Sequence, residues 1–315
     1  MPLVDAPVNA SGDQVVLSAG ALRLTVVTVG GGMRELTVGD WHVLDGYGMD
    51  EVAPGGSGQV LAPWPNRLAD GRYEFEGISY QLPLTEPSKW NALHGFARWE
   101  RWTVERQDET SAVLGIVLAP RAGYPFALEL EVEYNVTPSS VGVEIRGRNV
   151  GRRALPYANG FHPYFSVGTP KIDQALLELP ARVSLTTDDR QLPTGRSSVE
   201  GTEDDFTRAR PIGSTRLDTA YTELLRDSEG IARVRLSDES RSRSVAIRLG
   251  AAYTHVMVFT GDTLSDGHRR RRSLAVEPMT AAPNAFQSGD GLTVLGPGET
   301  HLAEWGIEIN QAGAS

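Results

Sequence analysis

Cysteine is absent from the 315 residues. Its absence removes disulfides, thiolate nucleophiles and cysteine-based zinc sites together, and it fits a reducing compartment. No run approaches 18 consecutive apolar residues, so no membrane-spanning helix is expected. The opening residues Met1-Pro2-Leu3-Val4-Asp5-Ala6-Pro7 have neither a basic start nor an apolar stretch, so no secretory signal is expected. Positive charge is in the minority, with 30 Lys and Arg against 40 Asp and Glu, a formal net charge of −10. That sign disfavours nucleic acid and anionic membrane as general partners. A Walker loop, an HExxH pair and a GxSxG elbow are also missing. These absences together lead us to expect a cytoplasmic protein. The oligomeric state leaves no trace in the sequence.

A sustained 3.6-residue period is missing as well, and a period of two takes its place. Leu128, Leu130, Val132, Tyr134 and Val136 alternate with Glu129, Glu131, Glu133 and Asn135. Such a run has one buried and one wet face. Thr137-Pro138-Ser139-Ser140 reads as a turn into Val141, Val143 and Ile145, which predicts a hairpin. Glu76-Gly77 predicts a tight turn between two further short strands. Leu22, Leu24 and Val26, then Val245, Ile247 and Leu249, alternate in the same way, and Trp305, Ile307 and Ile309 close the chain. Residues 255–260 are more continuously apolar, as for a strand buried on both faces. The 34 Gly and 19 Pro punctuate turns throughout. The expected fold class is all-β, a large antiparallel β-sandwich with few short helices. No composition break marks a linker, so residues 1–315 are expected as one domain with an ordered core of about 10–310 and looser ends. Residues 193–210 and 261–273 are expected as polar loops. The second carries Arg269, Arg270, Arg271 and Arg272, a run that is more often solvated than phosphate-binding.

Three residues stand out as chemistry. His94 lies in Leu93-His94-Gly95-Phe96 and His162 in Phe161-His162-Pro163-Tyr164-Phe165. Aromatic and small neighbours suit the wall of a sugar site, where C–H faces stack and hydroxyls need polar partners. Each histidine could equally be satisfied inside the core. Glu277 ends the apolar run Leu274-Ala275-Val276 and precedes Pro278. An unpaired buried carboxylate is costly, so a cleft rim or an ion pair with an arginine is expected there. Trp64, Trp90 and Trp99 flank the same region, with core packing the commoner fate of a tryptophan.

These fragments, in their order, resemble the aldose 1-epimerase family. Asn66-Arg67-Leu68 with Gly71-Arg72-Tyr73, Leu93-His94-Gly95, His162-Pro163-Tyr164-Phe165, Leu217-Asp218 and Glu277-Pro278 look like its blocks. Pro283-Asn284-Ala285-Phe286 and Leu295-Gly296-Pro297-Gly298-Glu299 extend the likeness to the C-terminus. The resemblance implies a galactose mutarotase-like supersandwich and a small-molecule sugar substrate. It implies Glu277 as general base at the anomeric hydroxyl and His162 as general acid at the ring oxygen. It places Arg67, His94, Asp218 and Asn66 among the sugar-binding positions. Phe96 and Met279 depart from the family pattern and are expected to alter the pocket.

Mutarotation moves no hydride, so no cofactor is expected. It needs one acid and one base on two oxygens of one carbon, roles that imidazole and carboxylate fill near neutrality. His94, His162, Asp218 and Glu277 could be drawn as a metal site, but the resemblance implies none. Other readings are a hexose 6-phosphate epimerase of the same fold, a non-catalytic carbohydrate-binding protein, and a glycosidase using Asp218 with Glu277. The charge of −10 favours a neutral sugar, with Arg98 and Arg101 the best candidates for a phosphate clamp and a solvated strand edge their alternative. His162 and Glu277 are expected to face each other across room for one sugar ring.

Overall fold

The computed structural model describes residues 8–312. Residues 1–7 and 313–315 lie outside the described residues, and most of the expectation of loose ends goes with them. Among the described residues the one α-helix is Ala285–Ser288, accompanied by four short 3-10 turns. None is long and apolar enough to cross a membrane.

Antiparallel pairing builds everything else. The larger sheet has nine strands, and its spine is Leu128–Thr137 paired residue for residue with Ser140–Asn149. Pro138 and Ser139 make the turn, as the sequence predicts. Leu128, Leu130, Val132, Tyr134 and Val136 are all buried while the intervening glutamates reach water. Each such Leu or Val contributes about 1.5–3 kcal/mol by burial. The twelve-residue strand Thr300–Gln311 pairs with Ser140–Asn149 on one side and Arg243–Leu249 on the other. Trp305, Ile307 and Ile309 thereby join the same core. Glu76 and Gly77, at φ +52° and +74°, turn Arg72–Phe75 back onto Ile78–Gln81 as expected.

The second sheet has eight strands, among them Ala181–Thr187, Asp218–Leu224, His255–Phe259 and Leu274–Met279. It corrects one expectation. Residues 193–210 are not all loop, because Pro193–Ser198 forms the edge strand against Ala181–Thr187. Five of its six residues are exposed, so it has no buried face to print an alternation on the sequence.

The apolar run His255–Phe259 is covered on both sides, for different reasons. Val256, Val258 and Val276 point into the main core. Ala220, Met257 and Met279 face the other way, into a small cluster with Leu185 and Ala282. Met257 pairs with Glu277, and Asp218 with Phe259. Directly paired residues share a face, and so do residues two apart along a strand. Glu277, Met257, Phe259 and Asp218 therefore lie together on the face turned away from the main core.

Candidate active site

That face is the floor of a cavity of about 260 Å³. Asn66, Arg67, His94, His162, Asp218 and Glu277 all line it, although up to 211 positions separate them in sequence. The volume is below the range usual for drug-sized ligands and suits one small polar molecule.

Sheet register puts His162 beside Glu277. Gly160 pairs with Met279, and Tyr164 with Ala275, on the same strand Leu274–Met279. Between those pairs the ladder carries His162 opposite Glu277. Pro163 has no N–H to donate, so its pair with Val276 keeps only one bond, from the Val276 N–H to the Pro163 carbonyl at 3.3 Å. On its other side His162 extends the pairing of Gly160–Phe161 with Val60–Leu61: its N–H reaches the Gln59 carbonyl at 3.3 Å, and its carbonyl accepts from Gly58 at 2.9 Å. Its Nε2 lies 3.4 Å from Glu277 Oε1. Both side chains are buried, at 5% and 2% exposure. The expected gap for a sugar ring between them is absent. The acid and base stand side by side beneath the cavity because opposed residues of one sheet face are neighbours, not walls of a cleft.

His94 arrives on a different device. Arg67–Ala69 pairs with Asn91–Leu93, and the chain leaves that ladder through residues of positive φ, Asn66 at +57° and His94 at +64°. The His94 N–H donates to the Asn66 carbonyl at 3.0 Å, and the Asn66 N–H donates to His94 Nδ1 at 3.0 Å. With Nδ1 accepting, the proton of a neutral ring sits on Nε2. Gly95 follows at φ +65°, where a Cβ would come 2.1 Å from the Ala62 carbonyl oxygen. No other residue fits there. The His94 ring meets the His162 ring edge-on at 5.3 Å. Ligand-capable atoms of His94, His162 and Glu277 lie within 4.8 Å of one another. A divalent ion accepts such donors, though ring opening does not call on one.

Asp218 begins its strand at the cavity wall and accepts a hydrogen bond from Gln191 Nε2. Arg67 is held by Glu86 through two bonds of 2.9 and 3.1 Å. Asn284 braces this turn, donating its N–H to the Arg67 carbonyl and accepting from the Ala69 N–H. The C-terminal block thus acts on the site by supporting its N-terminal wall.

Electrostatics in this pocket follow burial. Desolvation raises the Glu277 carboxyl well above its ordinary range, Asp218 adds to the effect and Arg67 opposes it. Burial pushes the His162 imidazole down to about 3, and the positive charges of Arg98 and Arg67 push the same way. Burial also holds His94 well below its ordinary value, with Arg98, His162 and Arg67 contributing. The pair at 3.4 Å has ion-pair geometry, but burial favours the uncharged arrangement, carboxylic acid beside neutral imidazole. His162 Nδ1, Glu277 Oε2 and the Tyr164 hydroxyl are all buried without a partner. Unsatisfied buried groups this close together mark a functional site more often than a structural one.

Several sequence expectations need correction. Three of the four arginines of the run are engaged by carboxylates, while Arg270 is exposed and its side chain bonds only the Leu264 carbonyl. Arg271 pairs with Asp173 at 2.7 Å and Asp262 at 3.1 Å, Arg272 pairs with Asp45, and Arg269 reaches Asp45 and Glu51. These bonds fasten residues 261–273 against the fold, and Thr263, Leu264 and Ser265 of that segment form part of the cavity wall. A larger hollow of about 820 Å³ lies beside Asp45; of its three arginines Arg269 and Arg272 are engaged by carboxylates, and Arg243 lies over the Trp41 ring. Arg101 is exposed and pairs with Asp13 at 2.7 Å. Arg98 is buried instead of lying on a solvated edge. Phe96 packs edge-on against Trp64, Met279 packs beside Met257, and neither lines the cavity. Trp64 takes the core fate, while Trp90 and Trp99 are surface residues.

Sequence reasoning passed over Tyr164, Glu86 and Gln191. Tyr164 stacks on His162 at 5.0 Å, and its place in the His-Pro-Tyr-Phe block was the available signal. Glu86 and Gln191 sit in polar loops with no local pattern to distinguish them.

The profile of the family described as aldose 1-epimerase matches residues 13–308. The chain is 35% identical over 294 residues to the uncharacterized Escherichia coli protein YihR, covering 93% of this chain and 92% of that one. It is 29% identical over 165 residues to mouse galactose mutarotase, covering 50% and 47% of the two chains. Among solved structures, a putative aldose 1-epimerase of E. coli K12 superposes with a TM-score of 0.83 at 22% identity, over 95% of this chain and 99% of that one. An aldose epimerase homologue from C. elegans gives 0.85 at 18% identity, over the same shares. At these identities the two structures speak for the sandwich fold.

Proposed function

The chain belongs to the aldose 1-epimerase family, a family of isomerases, and on that premise we propose that it interconverts the α and β anomers of a free aldose. The observation that carries the reading is the buried pair of His162 and Glu277 set side by side by sheet register at the bottom of one cavity. The two oxygens that exchange protons in mutarotation are bonded to the same carbon. An acid and a base in near contact suit that geometry better than two groups a ring apart.

The reaction starts from the charged arrangement, Glu277 carboxylate beside His162 imidazolium. Glu277 takes the proton of the anomeric hydroxyl, and His162 gives its proton to the ring oxygen. The bond from the anomeric carbon to the ring oxygen breaks, and the former hydroxyl oxygen becomes the carbonyl. Rotation about the adjacent carbon–carbon bond presents the other carbonyl face. His162 then recovers its proton as the ring hydroxyl attacks, and Glu277 returns its proton to the new anomeric oxygen. Atoms and protons balance with no cofactor. The pair reaches this charged arrangement when the Glu277 proton passes to His162, at a cost that burial sets, and ring opening returns it to the uncharged form. His94 offers an Nε2–H to a hydroxyl, Arg67 offers donors from a guanidinium fixed by Glu86, and Asp218 offers an acceptor.

Polarimetry or NMR exchange on freshly dissolved α-anomers tests the reading. The expected result is catalysed approach to anomeric equilibrium. Binding of sugars with no acceleration would leave a carbohydrate-binding protein instead.

A further inference from the structure

Among the described residues Arg98 is the one buried arginine, and none of them supplies it a counter-charge. It sits in the short 3-10 turn Ala97–Trp99, 7% exposed. Its Nε is enclosed without an acceptor, and among the described residues its guanidinium makes neither a hydrogen bond nor a salt bridge. Its positive group lies over the Trp99 ring at 4.3 Å, a contact that orients a cation without neutralising it. Burial alone pulls its pKa down to about 10, so it stays charged at neutral pH. None of the acidic residues described by the structure is set against this cation. Burying an unpaired charge is expensive, and that expense persists in native proteins where something else supplies the partner.

Arg98 does not itself line the cavity, but it lies close behind the cavity's wall. Gly56, at φ +77°, has no side chain, and a Cβ there would lie 3.5 Å from Arg98 Nη1 and 3.6 Å from His162 Cδ2. Its neighbour Gly55 lines the cavity. The end of Arg98 and the imidazole assigned to the ring oxygen therefore flank the same glycine. In a pyranose that oxygen is bonded to the carbon bearing the exocyclic carbon. A group carried on the exocyclic carbon hangs beside whatever addresses the ring oxygen.

We propose that Arg98 binds an anionic group on the exocyclic carbon of the sugar, so that the preferred substrate is an anionic aldose and not a neutral one. The inference rests on the epimerase reading for its placement of the ring oxygen. It reverses the expectation from net charge, because a contact cation outweighs a screened field of the whole chain. Carboxylate, phosphate and sulfonate share the required chemistry.

The test compares catalytic efficiency on glucose, glucuronate, glucose 6-phosphate and the 6-sulfonate analogue, with parallel calorimetric binding. The wild type is expected to prefer at least one anionic sugar over glucose, and the arm that wins identifies the anion. In Arg98→Ala that ratio is expected to fall about 10- to 100-fold, the worth of one hydrogen-bonded charge. Arg101→Ala is expected to leave the ratio unchanged. A merely structural Arg98 would lower turnover of all four sugars together. That result, or a wild-type ratio near one, overturns the proposal, and turnover of glucose would then leave the epimerase reading standing. Anionic sugars that bind through Arg98 but are never epimerised would keep the anion site and overturn the epimerase reading. If Arg98→Ala does not fold, the wild-type ratio still decides.

Discussion

The two large sheets obey the same pairing rules, yet they differ in what interrupts them. The nine-stranded sheet runs Leu128–Thr137 against Ser140–Asn149 without a break, one face dry and one face charged. In the eight-stranded sheet the strand next to Leu274–Met279 is split into Gly160–Phe161 and Tyr164–Phe165, with His162 and Pro163 between the pieces. Regular pairing gives stability and satisfies every backbone group. At Pro163 one bond of the ladder is lost, while register still holds His162 opposite Glu277. Both sheets contribute to the core, and the chemistry sits where the second loses a bond of its ladder.

Substitutions should separate those two roles. The largest effect is expected at this interruption. Glu277→Gln and His162→Asn should each lose about 10²–10⁴-fold in rate while keeping the fold. A pair that trades one proton acts as a unit, so the double variant should be little worse than either single. Single-turnover polarimetry on the three variants checks this. Losses that multiply would mean two independent groups and would break the proposed pairing. Next comes Leu130→Ala in the regular sheet. Leu130 is fully buried, and its truncation should cost about 2–5 kcal/mol of stability. Urea unfolding should show that loss, with the rate per folded molecule unchanged. A drop in rate of the first kind from the second variant would erase the distinction between the sheets.

The same contrast explains what the sequence reveals. Leu128–Thr137 is legible because half its residues meet water, and alternation records that. His255–Phe259 is legible only as apolar, because Val256 and Val258 serve the core while Met257 and Phe259 serve the cavity. Pro193–Ser198 is illegible because an exposed edge imposes no pattern. Site residues could be picked out by their blocks, but not their distances. Side-by-side packing of His162 and Glu277 comes from register across strands more than a hundred residues apart, which no local pattern encodes. The burial of Arg98 and the ion pairs of Arg269, Arg271 and Arg272 were equally illegible, since charge on a sequence says nothing about which carboxylates the fold brings near.

A smaller effect should appear in pH dependence. The His162 imidazole is held down to about 3 by burial, against about 6.5 in an unfolded chain. A depressed folded value gives stability that is whole above pH 6.5 and lost as pH falls toward 3. His162→Asn removes this loss. The wild type should therefore lose stability relative to the variant between pH 6.5 and the lowest pH at which both fold. Both chains carry Glu277, so the difference follows the imidazole. Urea midpoints for the two proteins that run parallel across this window would show that His162 is not buried as a neutral ring.

The smallest effect is expected at Arg146, on the wet face of the regular sheet. Arg146 stands directly across from Glu131, bonds it at 2.9 Å and also touches Glu144. By count of partners it looks stronger than Arg98, which has none. Its guanidinium is nearly half exposed, however, and water competes for every bond it makes. Exposed pairs of this kind are worth about 0–1 kcal/mol, and opposed charges on a sheet about 0.2–1 kcal/mol. Arg146→Ala should shift the urea midpoint by no more than that, and the shift should shrink as salt is raised from 50 mM to 1 M, where the screening length is about 3 Å. Epimerisation should be unaffected for neutral and anionic sugars alike, because Arg146 lies on the outer face of the sheet that has no part in the cavity. A salt-insensitive loss above about 1 kcal/mol would mean that this ion pair is shielded from water, and the simple division between a wet face and a dry one would fail for the nine-stranded sheet.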